Sequence, residues 1–320
     1  MISILHTALH TALAARGCLL LDGPTGTELI RRGYAAHPLL WTAEAALAQP
    51  ELLSRIHRDY VDAGADILTA NTFRTSAYAA QRAGRSAEQA ERWTRAAVAV
   101  CQDALSGALD ERWVAGSMAP LEDCYHPERV PDDAVLVRAH RQTAAWLRAA
   151  GCPLILVETM GTEREAVAAV GAARDAAAPA ILASFLPDDS GARLLGGEPL
   201  LPAARAVLAA GAHAVLINCV HAEVVERALI HLQPLRAADQ GLLLGAYANG
   251  SRMRQVDGEP VWEEDQRPVG TQAAEYAQRA LGWATELGAR ILGSCCGTGP
   301  EHIRCLHAAL RGAGARLPRS

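Results

Sequence analysis

Apolar residues along the chain gather in eight short runs, near 18–23, 65–73, 112–120, 153–160, 178–187, 212–220, 241–249 and 289–296. Runs of that length, apolar on both faces, read as strands buried from both sides in a parallel sheet. Most intervening segments repeat apolar residues at helical spacing, as in 50–61, 87–108, 132–150 and 163–176. A recurring phrase marks the joints: Gly64-Ala-Asp-Ile-Leu, Gly151-Cys-Pro-Leu-Ile-Leu, Gly211-Ala-His-Ala-Val-Leu and Gly288-Ala-Arg-Ile-Leu. The glycine is predicted to close an alanine-rich helix in the left-handed region, and the apolar residues after it to begin the next strand. Eight such units predict an α/β fold of the (β/α)8, or TIM-barrel, type, with residues 1–320 forming a single domain. A doubly wound sheet is the alternative. It calls for fewer strands and a glycine fingerprint after the first, which Gly23-Pro24-Thr25-Gly26 does not complete. Segments 74–86, 121–131 and 250–268, rich in Arg, Asp, Pro and Gly, are predicted as rim loops.

Composition narrows what such a barrel does. Half of the residues are hydrophobic (50%) and 20% charged, with a mean hydropathy of +0.06, enough apolar material for a large core and no signature of disorder. Thirty basic against 35 acidic residues give a net charge of −5 without long blocks of either sign. Nucleic acid and membrane are therefore not expected partners. The start, Met1-Ile2-Ser3-Ile4-Leu5-His6, has no basic segment followed by a long apolar one, so a cytoplasmic location is expected. Eight cysteines are too sparse for a disulfide scaffold and must serve as core fillers, metal ligands or nucleophiles. Monomer and small homo-oligomer both remain open.

In a barrel of this type, chemistry sits at the C-terminal ends of the strands. The predicted ends carry Asp22, Asn71-Thr72, Ser117, Glu158-Thr159, Asn218-Cys219, Tyr247 to Asn249 and Cys295-Cys296. Strand ends turn polar wherever they leave a core, which accounts for hydroxyls and amides more readily than for two carboxylates and three cysteines. Cys219 ends the sixth strand and Cys295-Cys296 the eighth, so all three can face one mouth. Three thiolates with an open fourth position make a catalytic zinc arrangement, soft sulfur suiting Zn(II) and the open position admitting a substrate ligand. The adjacent pair reaches one ion if the chain turns out of the strand at Gly297, where strict face alternation ends. These cysteines lack the fixed spacing of a zinc ribbon, so spacing alone leaves buried free thiols as an equal alternative. His221 is a rival ligand, while His213, beside a glycine joint, is expected at the barrel floor. Cys18, Cys101, Cys152 and Cys305 read as structural, as does Cys124, set apart by its place in a rim loop.

The segments "LDGPTGTELIRRG" (21–33), "ADILTANTF" (65–73), "VETM" (157–160), "INC" (217–219) and "GSCCGTGPEHI" (293–303) resemble the zinc-dependent homocysteine S-methyltransferases, over about residues 18–310. The resemblance implies a (β/α)8 barrel in which Cys219, Cys295 and Cys296 hold Zn(II). It also implies that homocysteine binds through sulfur at the fourth position and takes a methyl group from a donor to give methionine. An alkyl thiol with a pKa of about 8.5 would be held there as thiolate at neutral pH. A donor with a good leaving group needs no general acid, so Asp22 and Glu158 need not move protons. Glu158 is assigned to the substrate α-ammonium, and Asp22 to substrate orientation. Amides of Thr25, Gly26 and Thr27, opening a helix, suit the α-carboxylate, an ordinary glycine turn being the alternative. Asn218, from the INC motif, joins the expected substrate-binding residues.

The family's donors include S-methylmethionine, S-adenosylmethionine, betaine and methyltetrahydrofolate. The folate branch carries further modules that 320 residues do not hold. The betaine branch has a longer C-terminal arm and a Tyr where this chain has Arg74, a charge that would repel a quaternary ammonium if it faced the site. A sulfonium donor is therefore expected, with Trp41 as a candidate face for a methylated cation. Three alternatives stay open: a betaine-dependent enzyme, a metal-independent lyase or aldolase-type barrel using Asp22 and Glu158, and a structural zinc clip closed by His221.

Overall fold

The computed structural model describes residues 4–107, 110–256, 259–263 and 265–313. Eight parallel strands form a (β/α)8 barrel: β1 (Leu19–Leu20), β2 (Ile67–Ala70), β3 (Trp113–Met118), β4 (Leu154–Met160), β5 (Ala180–Phe185), β6 (Ala214–His221), β7 (Leu243–Asn249) and β10 (Ala289–Ser294). Between β7 and β10 a rim hairpin pairs β8 (Arg252–Val256) with β9 (Glu259–Glu263). The sheet runs β1-β10-β7-β6-β5-β4-β3-β2. Its seam is closed by a Leu21–Ile67 bridge and by amides of Asp22 and Asp66 donating to Ile67 and Leu20 at 2.9 and 2.7 Å. Each of the eight apolar runs supplies one barrel strand.

Alternation along the strands separates two cores. Leu19, Ile67, Leu154, Leu156, Leu182 and Leu216 fill the barrel interior. Leu20, Leu68, Ile155, Ile181, Val215 and Leu244 face the surrounding helices. The joint glycines behave as predicted, with φ of +102° at Gly64, +88° at Gly151, +121° at Gly211 and +70° at Gly288, where a side chain would be strained. Helix starts follow local chemistry too. Pro50 opens the helix Pro50–Ala63, and Ser86 and Gln89 form a reciprocal cap on the helix Ala87–Ala104.

Three segments depart from the sequence pattern. The helix Ile4–Arg16 closes the barrel floor, with Leu9 and Leu13 buried against the interior cluster. The expected loop at 250–268 contains the β8–β9 hairpin, and the one at 74–86 contains a short helix, Ala77–Arg82, capped by Ser76. Among the described residues, no helix is long and apolar enough to cross a membrane.

Candidate active site

Inward alternation carried to the C-terminal strand ends lines the mouth with Thr69, Ser117, Glu158, Ser184, Asn218, Tyr247 and Cys295. The sulfurs of Cys219, Cys295 and Cys296 lie within 4.8 Å of one another, and those of Cys295 and Cys296 are 4.0 Å apart. A tetrahedral ion with metal–sulfur bonds of about 2.3 Å holds its sulfurs roughly 3.8 Å apart. The triad is thus close to the spacing an ion would impose, and its soft donors suit a metal of the zinc class. Asn249, buried at the end of β7, adds an amide with no hydrogen-bond partner on either its oxygen or its nitrogen. That amide lies near enough to Cys219 to favour its thiolate. Hydrogen bonds from Cys295 and Cys296 hold the Cys219 thiol well below its usual range, and the same sharing with Cys219 pushes Cys295 and Cys296 up. His221 is not part of the triad. It precedes the helix Ala222–Ala238, with Nδ1 3.9 Å from the Glu223 carboxylate. His213 sits at the floor as expected, its Nδ1 accepting from the Ile181 amide at 3.1 Å.

Two bulges aim the site. Asn218 faces Tyr247 and His221 faces Asn249, so β6 takes one residue more than β7 over that span. Likewise Val157 faces Ala183 and Met160 faces Phe185, giving β4 an extra residue at Glu158-Thr159. The extra residues are in the left-handed region, with φ of +61° at Thr159 and +59° at Cys219, a costly conformation for side chains with a Cβ. Regular alternation would turn Cys219 outward, because Asn218 faces in; the bulge turns it back to the mouth. Asn218, an expected substrate contact, is bonded within the protein here. Fully buried, its Oδ1 accepts from the Thr159 amide at 3.1 Å and the Ser184 hydroxyl at 2.7 Å, and its Nδ2 donates to Thr159 Oγ1 at 2.8 Å. Asn218 ties one bulge to the other.

At the end of β10 the predicted turn is present. The Cys295 amide donates to Ala248 at 2.8 Å, Gly250 donates to Cys296 at 2.8 Å, and Gly297 has φ of +76°. A Cβ at Gly297 would come within 2.5 Å of the Ser251 hydroxyl. The chain must therefore bend sharply there, and both sulfurs reach the same point.

Asp22 and Glu158 are both buried. Burial pushes Asp22 up to about 8, against bonds from the Thr69 amide and hydroxyl at 2.8 and 2.9 Å. It pushes Glu158 up to about 7, against donation from the hydroxyls of Ser117 and Tyr247. Each carboxyl is poised to ionise when a cation arrives.

Thr25–Arg31 forms a helix of 7 residues, whose first amides lack intrahelical acceptors; the Thr27 hydroxyl is buried without a partner. The indole of Trp41 lies on Gly26, where a Cβ would be 2.2 Å from the ring, so close packing explains the glycine. Trp41 meets Phe73 edge-on at 5.8 Å. Arg74 faces the rim loop instead of the mouth: its guanidinium donates to the carbonyls of Pro120 and Glu122 at 3.1 and 2.7 Å and lies 5.2 Å from the Phe73 ring centre. In that same loop Cys124 packs with Cys219, and the Tyr125 hydroxyl is 3.1 Å from the Cys219 sulfur. Tyr125 escaped the sequence reading because it lies in an irregular loop far from Cys219 in the chain. Its one signal was adjacency to the unplaced Cys124.

Comparison with known proteins bears on this geometry directly. The family model for homocysteine S-methyltransferase matches residues 19–310. Homocysteine S-methyltransferase of Escherichia coli (strain K12) is 32% identical, the alignment covering 95% of this chain and 98% of that protein. Homocysteine S-methyltransferase 3 of Zea mays is 28% identical, over 93% of this chain and 91% of that one. The crystal structure of the homocysteine methyltransferase MmuM from Escherichia coli in its metallated form is similar with a TM-score of 0.78 at 26% identity, covering 94% of this chain and 99% of that one.

Proposed function

The chain belongs to the homocysteine S-methyltransferase family, and on that premise we propose that it moves a methyl group from a sulfonium donor to homocysteine held at zinc by Cys219, Cys295 and Cys296, giving methionine. The observation that carries this reading is the convergence of three sulfurs within 4.8 Å at the mouth, from two separate strand ends. Zinc, when bound, would keep the substrate sulfur deprotonated at neutral pH, and three anionic sulfur ligands would keep it electron-rich.

The chain's own residues bind and align. Glu158, oriented by Ser117 and Tyr247, receives the substrate α-ammonium, whose charge favours ionisation of a carboxyl that burial holds up at about 7. Asp22, fixed by Thr69, orients the substrate from the opposite wall. The amides of Thr25, Gly26 and Thr27 meet the α-carboxylate. No proton has to move, because a sulfonium leaves as a neutral thioether, so catalysis rests on alignment and exclusion of water. Two carboxyls near neutrality also favour a metal-independent lyase reading; activity that survives chelation would select it.

S-Methylmethionine and S-adenosylmethionine are the proposed donors. A sulfonium brings its own leaving group and needs no proton, whereas a donor with an uncharged amine would require one. The test is methionine formation by zinc-loaded protein given homocysteine with each donor separately. Turnover is expected with S-methylmethionine, weaker turnover with S-adenosylmethionine, and little with betaine or methyltetrahydrofolate. Robust turnover with betaine as sole donor would overturn the donor assignment.

A further inference from the structure

We propose that Tyr125 is a positioning residue that hydrogen-bonds the metal-bound sulfur of Cys219 and so keeps the transferred methyl group from going to the protein's own ligand. The inference rests on the proposed metal site. A sulfur bound to a metal carries no proton, so across the 3.1 Å contact the phenol O–H is the donor and the sulfur the acceptor.

The need for such a bond follows from the chemistry of the site. A homocysteine thiolate on the ion would share it with cysteine thiolates of the same nucleophilic type. If Cys219 attacked a methyl electrophile, its lone pair would form an S–CH3 bond and the electron pair of the broken bond would leave with the departing group. Cys219 would end as a neutral thioether, a much poorer ligand. A hydrogen bond engages a lone pair and draws charge from that sulfur, making it a weaker nucleophile than the substrate sulfur. Cys219 stands in particular need of this, because its bulge turns it back toward the mouth.

The loop holding Tyr125 is fastened as a donor of fixed position requires. Glu165, buried and paired with His140 at 3.2 Å, accepts from the Leu121 amide at 2.8 Å. Arg74 binds the carbonyls of Pro120 and Glu122, and Arg164 those of Val130 and Pro131. The anchors lie on both sides of Tyr125: Arg164 and Glu165 come from the helix Glu163–Asp175, and Arg74 from the rim segment after β2. Glu165, His140 and Arg164 lie outside the proposed substrate contacts, and together they fasten the rim segment that brings Tyr125 to Cys219.

The test uses cobalt(II)-loaded and zinc-loaded protein. Wild type with cobalt(II) should show thiolate-to-metal charge-transfer absorption. In Tyr125→Phe that band should move to lower energy, and with 3-fluorotyrosine at position 125, a stronger donor, to higher energy. Zinc-loaded Tyr125→Phe treated with methyl iodide without homocysteine should gain a methyl group on Cys219, read by peptide mass, about tenfold faster than wild type. A band present in wild type but unmoved in both variants, or an unchanged methylation rate at Cys219, would overturn the role of Tyr125. Absence of the band in wild type would overturn the metal reading and this inference with it.

Discussion

Replacing Glu158 by Gln should make the protein more stable and less able to bind its substrate, with a stability gain that grows from about pH 4.5 and is complete above about pH 7. The carboxyl is buried, and burial raises it from 4.5 to about 7. At pH well below 4.5 it is neutral in both folded and unfolded chains and costs nothing. As pH rises from there to about 7, the unfolded chain releases the proton while the fold retains it, and stability is progressively lost; above about 7 the full penalty applies. At about 1.4 kcal/mol per pKa unit, the rise corresponds to about 3 kcal/mol as an upper bound. Gln carries no such penalty and keeps the local bonds, its oxygen accepting from Ser117 and its amide donating to the Tyr247 oxygen.

The assay is urea unfolding of both proteins at pH 5.5 and 8.5, with homocysteine titration of the metal-loaded forms. The stability advantage of Glu158→Gln should be about 1.4 kcal/mol at pH 5.5 and approach about 3 kcal/mol at pH 8.5. Homocysteine affinity should fall about ten- to a hundredfold, the worth of a charge-assisted hydrogen bond to the α-ammonium, while metal affinity stays. A stability difference that does not grow with pH would refute the buried-carboxylate argument. Loss of metal together with substrate would move Glu158 to a supporting role for the ion.

Purified under reducing conditions, the protein should carry about one zinc per chain; Cys219→Ala, Cys295→Ala or Cys296→Ala should abolish it and Cys101→Ala should not, and full zinc retention in Cys296→Ala by elemental analysis would refute the three-sulfur site. Asn218→Ala removes three buried hydrogen bonds, two of them to the Thr159 bulge and one to Ser184. It should cost about 2–4 kcal/mol in chemical denaturation and weaken metal in chelator competition, whereas lost stability with intact metal affinity would mean that the Cys219 bulge supports itself.

The barrel was legible because its signals are local. A glycine forced into positive φ ends a helix, an apolar run begins a strand, and both leave a mark within a few residues, as at Gly64 and Gly288. The cysteine triad was legible through the position of Cys219, Cys295 and Cys296 at strand ends, sharpened by the family motif. The bulges at Thr159 and Cys219 left no comparable mark. A strand with one extra residue has the same composition as a regular one, and the strain is visible only in the register against its neighbour. Asn218 shows the same limit: its inward direction follows from strand alternation, but the groups it meets within the protein are set by the register of its neighbours. Tyr125 depends on a loop whose course is fixed by Arg74 and by the adjacent pair Arg164 and Glu165, residues from two distant parts of the chain, and no periodicity reports such a convergence. The β8–β9 hairpin does have a local signal in the sequence, the Asp257-Gly258 dipeptide between two short runs of mixed character.

The sulfonium reading gains its physical weight from the distribution of charge around the mouth. Three thiolates against a divalent ion leave a net negative charge at the triad, and a bound substrate thiolate adds another. In the proposed complex Glu158 would be matched by the substrate ammonium. Arg74, a cation that acts on Cys124, has its guanidinium engaged by two loop carbonyls. A cationic donor therefore enters a mouth with unmet negative charge, which favours its approach. As the methyl group transfers, the donor loses its positive charge and the substrate sulfur its negative one, so the separation of charge falls along the reaction, a change that a water-poor site promotes. A donor whose amine is uncharged at rest obtains neither benefit. It would need a group to protonate it, and Asp22, the carboxyl that burial keeps closest to neutrality, is bound to Thr69 on the wall of the barrel, with both oxygens already accepting hydrogen bonds.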